Sequence, residues 1–196
     1  MTTGETTPER AGTAVTMSKA TSRLRPGSAA PSFRAPTSNG QTLDSEAFHG
    51  KLAVVLFFLA QPGTPDDDVM LDEFDEHLVE FGHQRVQLLG VAPCSAREVR
   101  ARAEAQQLAV TLLADESGEI ARSFGIADAT PGERAATAPP TVVIDRQGIV
   151  AAWVPRTEVT GHVADVLRQL GYLAHAIDAG YRRDVDLRPR TAQSDL

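Results

Sequence analysis

Residues 52–70 read LAVVLFFLAQPGTPDDDVM. Leu52 to Leu59 is an unbroken apolar run, the pattern of a strand buried on both faces. Gln61-Pro62-Gly63-Thr64-Pro65 interrupts it and reads as a turn. Beyond the turn, Met70, Leu71, Phe74, Leu78 and Phe81 recur at helical spacing, which predicts one helix ending at Gly82. Val86 to Val91 is a second buried strand, expected to lie parallel to the first across a right-handed crossover. Strand, turn, helix and strand make a βαβ unit, so the chain is read as α/β.

The rest of the core pattern extends outward from that unit. Ser95 followed by Glu98 is spaced as a capping box and opens a helix. Thr111 to Ala114 reads as a short strand, and Gly118 to Phe124 as a short helix closed by Gly125. Thr141 to Ile144 and Ile149 to Val154 flank Asp145-Arg146-Gln147-Gly148, the pattern of a hairpin. Val163, Val166, Leu167 and Leu170 turn one face of a last helix inward from about Thr160. The order predicts a central mixed β-sheet flanked by helices.

Residues 1–26 are polar, rich in Thr, Ser and Ala, and read as a disordered leader. Residues 27–172 form the domain. Residues 173–196 read as a helical extension with a charged, proline-containing tail from about Arg182. A formal net charge of -7 argues against nucleic acid and anionic membranes as partners, because both require a basic face. No apolar run has the length of a membrane span, and the start lacks the apolar segment of a secretory signal. A cytoplasmic protein is expected. One cysteine, Cys94, leaves no intramolecular disulfide, no CxxC motif and no multi-cysteine zinc site.

Several stretches resemble one family in order and spacing. Ala29-Ala30-Pro31-Ser32-Phe33 is similar to an "APxF" entry, and Phe48-His49-Gly50-Lys51 to the "GK" that precedes a Val/Phe strand. Residues 112–126, LLADESGEIARSFGI, are similar to an "LLSDxxGExAxxFGV" insertion, and Val142 to Gly148 to "xFxIDxxG". Together they resemble the peroxiredoxin (AhpC/TSA, or redoxin) family over roughly Gly27 to Leu170. The resemblance implies a thioredoxin-like fold with a peroxiredoxin-type insertion, thiol-peroxidase lineage, and dimerisation as an expectation.

The resemblance also locates a site. The family's pattern after its first long strand is P-x-x-x-T-x-x-C. There a cysteine at a helix start, helped by the helix dipole and an arginine, attacks peroxide as a thiolate. On this chain Thr64 takes the Thr place, Asp67 the Cys place and Ala60 the Pro place, with Pro65 and Asp66 between. The arginine place falls near Pro139. A carboxylate has no sulfenic-acid equivalent, so ordinary peroxidase chemistry is not expected at Asp67. A slip of one residue in this alignment would still place an aspartate there.

Asp66, Asp67 and Asp68 also suit simple interaction with a helix dipole. The helix start is expected to lower the Asp67 pKa, which suits contact with a cation or donor better than proton abstraction. Cys94 follows the second parallel strand, on the sheet edge that carries Thr64 and Asp67, and precedes a helix start expected to lower its pKa. The alternative for Cys94 is a small residue filling a strand–helix turn. Either Pro139 or Pro140 is a candidate cis-proline, as thioredoxin-like proteins place one ahead of this strand, and a rigid strand entry is the alternative. The acidic face Asp68, Asp72, Asp75, Glu76 and Glu80 is expected to be solvated. The loop Ala127 to Ala138 reads as a lid or a mobile connection. His49, His77, His83, His162 and His175 show no metal-site spacing, and no cofactor or metal is implied.

Three functional readings are open. The chain has lost the peroxidatic thiol and binds a small molecule or a partner. Or it acts as a thiol oxidoreductase on peroxide through Cys94, with an external thiol reductant. Or its pocket runs non-redox chemistry through Thr64 and Asp67.

Overall fold

A computed structural model describes residues 24–126, 139–158 and 160–186, with backbone alone from 175 onward. Residues 1–23 of the expected leader and the loop from Ala127 to Ala138 lie outside these, whereas Leu24, at the leader's expected end, packs against the core. The first elements among the described residues are a short antiparallel hairpin, β1 (Arg34–Pro36) and β2 (Thr42–Asp44), then a 3-10 turn at Ser45–Phe48. There follow β3 (Ala53–Phe58), α1 (Pro65–Glu76), α2 (Leu78–His83) and β4 (Val86–Ala92). Next come α3 (Ala96–Gln106), β5 (Thr111–Ala114) and α4 (Glu119–Ser123). The chain continues through β6 (Thr141–Ile144), β7 (Val150–Val154) and α5 (His162–Asp186).

The main sheet has the order β5-β4-β3-β6-β7. β3, β4 and β5 run parallel, while β6 and β7 pair antiparallel. This is the mixed sheet the sequence pattern predicts, with β3 at its centre. Val54 to Phe58 are all buried because β3 is covered on both faces. One core, around Phe57, Phe74, Phe81, Leu112 and Val166, lies on the α1, α3 and α5 side. The other, around Phe33, Leu56, Phe58, Phe124 and Val142, lies on the opposite face.

Two expectations need correction. The helix expected to run unbroken to Gly82 is split at His77, whose backbone (φ -95°, ψ 6°) leaves the helical range. The His77 Nδ1 lies 2.8 Å from the Glu73 carbonyl, so the side chain joins in ending α1. The acidic face is not simply solvated. Asp75 Oδ1 accepts from the amides of Ala109 (2.8 Å) and Val110 (2.6 Å), which ties α1 to the entry of β5. Asp68 binds Arg102 and Gln106 of α3. Among the described residues, no helix is long and apolar enough to cross a membrane.

Parallel pairing puts the C-terminal ends of β3 and β4 on one edge, where Leu59 N–H donates to Val91 O at 2.9 Å. The register Leu56↔Val142 brings the entry of β6 to that edge as well. Such an edge, at the carboxyl ends of parallel strands, is where α/β folds gather functional groups.

Candidate functional site

The turn after β3 delivers Asp67 to this edge. Gly63 takes φ +93°, a left-handed conformation open to glycine at low cost, and Thr64 N–H closes onto Gln61 O at 3.2 Å. Thr64 is then the N-cap of α1 in extended conformation, and Pro65 occupies the first turn, where a missing N–H costs nothing. The half-buried Thr64 hydroxyl makes no capping bond. Ala60, Pro65 and Asp66 are exposed on the turn.

Asp67 differs from its neighbours in being only 1% exposed. Its Oδ2 accepts from Gln61 N–H at 2.9 Å, and the neighbouring Ala60 amide also favours the charged form. The carboxylate therefore reaches back and fastens the turn. Its Oδ1 has no hydrogen-bond partner and lies 3.7 Å from Nη1 of Arg156. The Arg156 side chain is itself only 5% exposed, and its Nη1 also lies 3.0 Å from Met70 Sδ. Two opposite charges thus meet out of water, where their attraction is strong and either one alone would be costly.

The Asp67 carboxyl is pushed above its ordinary value, against the sequence expectation. Burial is the main cause. The Gln61 and Ala60 amides, then the Arg156 and Arg102 guanidinium groups, pull the other way without overcoming it. A dipole argument fails here because the group is withdrawn from solvent rather than displayed at an open helix end.

Arg156 is the residue that sequence spacing misses. The resemblance places an arginine near Pro139, at the head of β6, whereas Arg156 follows β7. The hairpin register explains the convergence: Thr141 pairs with Val154, so the chain leaving β7 passes beside the chain entering β6. Reading that register forward by two residues would have pointed to Arg156. Beside it, His162 is 3% exposed, with Nε2 2.8 Å from Thr141 Oγ1 and its ring edge-on to Phe74. Burial, followed by the nearby Arg156 charge, lowers the His162 pKa. Glu73 accepts from Gly161 N–H at 2.6 Å. Asp67, Glu73, Arg156 and His162 thus make a largely buried polar layer joining α1 to the end of β7 and the start of α5.

Cys94 lies in the β4–α3 turn on the same edge, half-buried and packed against the core. Its thiol is pushed up, not down. Burial is the largest cause and Glu98 the next, while Arg102 opposes them. The capping box explains the second effect: Glu98 Oε2 accepts from Ser95 N at 2.9 Å and Ser95 Oγ at 2.6 Å, which parks a carboxylate near the sulfur. A helix start that brings its own acid does not activate a thiol.

Pro139 and Pro140 are half-buried and lead into β6. No peptide bond among the described residues is cis, so Pro140 is a trans strand entry. Its fixed φ already suits an extended segment. The bond before Pro139 involves Ala138, outside the described residues. Among the described residues, no cluster of three or more His, Cys, Asp or Glu could hold a metal ion.

Comparison with known proteins supplies the lineage. The chain is 27% identical over 157 residues to a Mycobacterium tuberculosis protein provisionally named a peroxiredoxin, covering 76% of this chain and 97% of that one. A Coxiella burnetii protein carrying the same provisional name is 26% identical over 147 residues, covering 74% and 97%. Among solved structures, the peroxidoxin BcpB of Mycobacterium tuberculosis superposes with TM-score 0.67 at 23% identity, covering 76% of this chain and 98% of that chain. A mutant form of PrxQ from Xylella fastidiosa gives 0.70 at 18% identity, covering 78% and 99%. These structures confirm a thioredoxin-like α/β fold. The model of the AhpC/TSA family matches residues 26–153, from the segment before β1 almost to the end of β7, and this chain belongs to that family.

Proposed function

We propose that this chain is a peroxiredoxin-family protein in which Asp67 replaces the reactive cysteine. On this reading it does not turn over peroxides and uses the site to bind a small molecule or a partner. The observation that carries this reading is the state of Asp67. Its carboxylate is buried, fastened to the β3–α1 turn and faced by Arg156. A group held in this way keeps the geometry of the turn and supplies no nucleophile. Cys94 does not take over the task on this reading, since burial and Glu98 hold its thiol protonated at neutral pH.

The test is peroxide consumption with dithiothreitol as the thiol reductant, on wild type, Cys94→Ser and Asp67→Ala. The expected result is no consumption above the protein-free rate for any of the three. Turnover by wild type that disappears in Cys94→Ser would overturn the proposal in favour of a Cys94 oxidoreductase. Turnover that survives in Cys94→Ser and disappears in Asp67→Ala would overturn it in favour of chemistry at the turn.

A further inference from the structure

The polar layer around Arg156 is short of hydrogen-bond partners. Asp67 Oδ1, Glu73 Oε2 and His162 Nδ1 are all buried, and none has a hydrogen-bond partner among the described residues. Such groups favour any arrangement that returns them to water. The layer also closes over a joint in the chain. Gly161 takes φ +83°, a conformation glycine holds at low cost, and His162 then begins α5. Two polar contacts hold the joint: Gly161 N–H donates to Glu73 Oε1 at 2.6 Å, and His162 Nε2 lies 2.8 Å from Thr141 Oγ1. Val163, 1% exposed, is the apolar anchor of the same turn. Val166 and Leu170 seat the following turns of α5 on the core.

The Thr141 contact suits a neutral ring. The hydroxyl donates or accepts, so either neutral tautomer bonds through Nε2. A protonated ring carries hydrogen on both nitrogens, and its Nδ1–H then meets no acceptor in the closed layer. Charged groups bear on the ring from three elements: Glu73 from α1, Arg156 from the segment after β7 and Asp165 from α5. From β6 the Thr141 hydroxyl faces it. Among the described residues no carboxylate forms an ion pair with His162, and Asp165 is paired with Arg168. Burial first, and then Arg156, disfavour the charged ring, and Asp165 and Glu73 do not outweigh them.

We propose that His162 is an acid-operated latch on the Asp67 site. With a neutral ring, the first turn of α5 stays docked and keeps Asp67 and Arg156 out of water. Protonation of the ring releases that turn from Thr141 and Glu73, with Gly161 as the joint, and opens the Asp67–Arg156 pair to solvent and solutes. The latch controls access and operates whatever the site binds.

Amide hydrogen exchange on the full chain, from about pH 7.5 to about pH 5 and corrected for intrinsic rates, tests this. The reporters are Gly161 and Asp165, whose N–H groups bond to Glu73 Oε1 and Gly161 O. Closing favours a neutral Asp67 carboxyl, which opposes opening in acid. The quantity read is therefore the ratio of opening constants in wild type and His162→Gln, where that contribution cancels. Below 6.5, the ordinary histidine value, the ratio should rise by up to about tenfold per pH unit. Val55 and Leu56 of β3 should stay protected throughout. Met70, 1% exposed and in contact with Arg156, gives a second readout. Its oxidation to the sulfoxide by added hydrogen peroxide, followed by peptide mass, should quicken in acid in wild type and not in His162→Gln. A ratio that stays flat across this range would overturn the proposal, as would a wild-type Met70 oxidation rate that does not change with pH. Loss of protection at Val55 and Leu56 in step with Gly161 and Asp165 would also overturn it, since that marks unfolding of the whole domain.

Discussion

Asp67 and Arg156 illustrate how a pair of residues changes meaning with its surroundings. Removing one buried partner strands the other. Arg156→Met is expected to destabilise the fold by about 3–5 kcal/mol at neutral pH, measured by urea unfolding. The loss should shrink in acid, because Asp67 is then neutral and needs no counter-charge. Titration gives a second handle. The Asp67 carboxyl has an ordinary value of 3.8 and is raised in the fold, so above 3.8 the native state holds a proton that the unfolded chain has released. Stability attached to Asp67 therefore falls as pH rises from 3.8 through the raised value. His162 works in the other direction: its pKa is lowered from 6.5, so stability falls as pH drops below 6.5. Unfolding curves across pH should show Asp67→Asn gaining on wild type as pH rises through the first window. His162→Gln should gain on wild type as pH falls through the second. Of these residues only Asp67 stood out in the sequence, because its place in the turn was countable from Thr64. Its burial was not legible, since Asp66, Asp67 and Asp68 all suit a helix start and nothing local distinguishes the middle one. Arg156 and His162 were hidden because they reach the site through the pairing of β6 with β7.

At the scale of elements, the strands were legible and the breaks were not. Uninterrupted apolar runs such as Val54 to Phe58 announce a doubly covered strand by composition alone. The split between α1 and α2 leaves no such trace, since Met70, Leu71, Phe74, Leu78 and Phe81 keep helical spacing across His77. The β1–β2 hairpin was missed because each strand is three residues long, too short for alternation to show. Side chains that bridge elements also lie beyond periodicity. Asp75 satisfies two amides at the start of the β5 segment, and Asp75→Ala leaves both without that acceptor. A loss of about 1–3 kcal/mol is expected, measured by thermal or urea unfolding. Asp75→Asn, which keeps an acceptor, should recover part of it.

For the molecule as a whole, the central strands decide how much freedom is left. Gly90 lies in β4, where an added Cβ would stand 2.6 Å from Phe57 Cζ and 2.7 Å from Leu112 Cδ2. Both neighbours are fully buried, and Phe57 is stacked on Phe74 at 4.2 Å between ring centroids. Gly90→Ala is therefore expected to cost about 1–3 kcal/mol through overpacking, read from the urea midpoint. The sequence places that glycine inside a buried strand, and only the packed structure shows that it makes room for Phe57. Family-level architecture is kept at this scale, because the two cores and the strand order do not depend on what stands at position 67.

The Asp67–Arg156 contact also bears on the order of events in folding. It joins the start of α1 to the segment after β7, so most of the sheet must be assembled before the two charges can meet. Contacts between such distant parts of a chain tend to form late, after the costly loop closures are complete. An interaction absent from the transition state leaves the folding rate alone and acts as a brake on the reverse step. Much of what this pair contributes should therefore be measured in time, as a native state that opens more slowly.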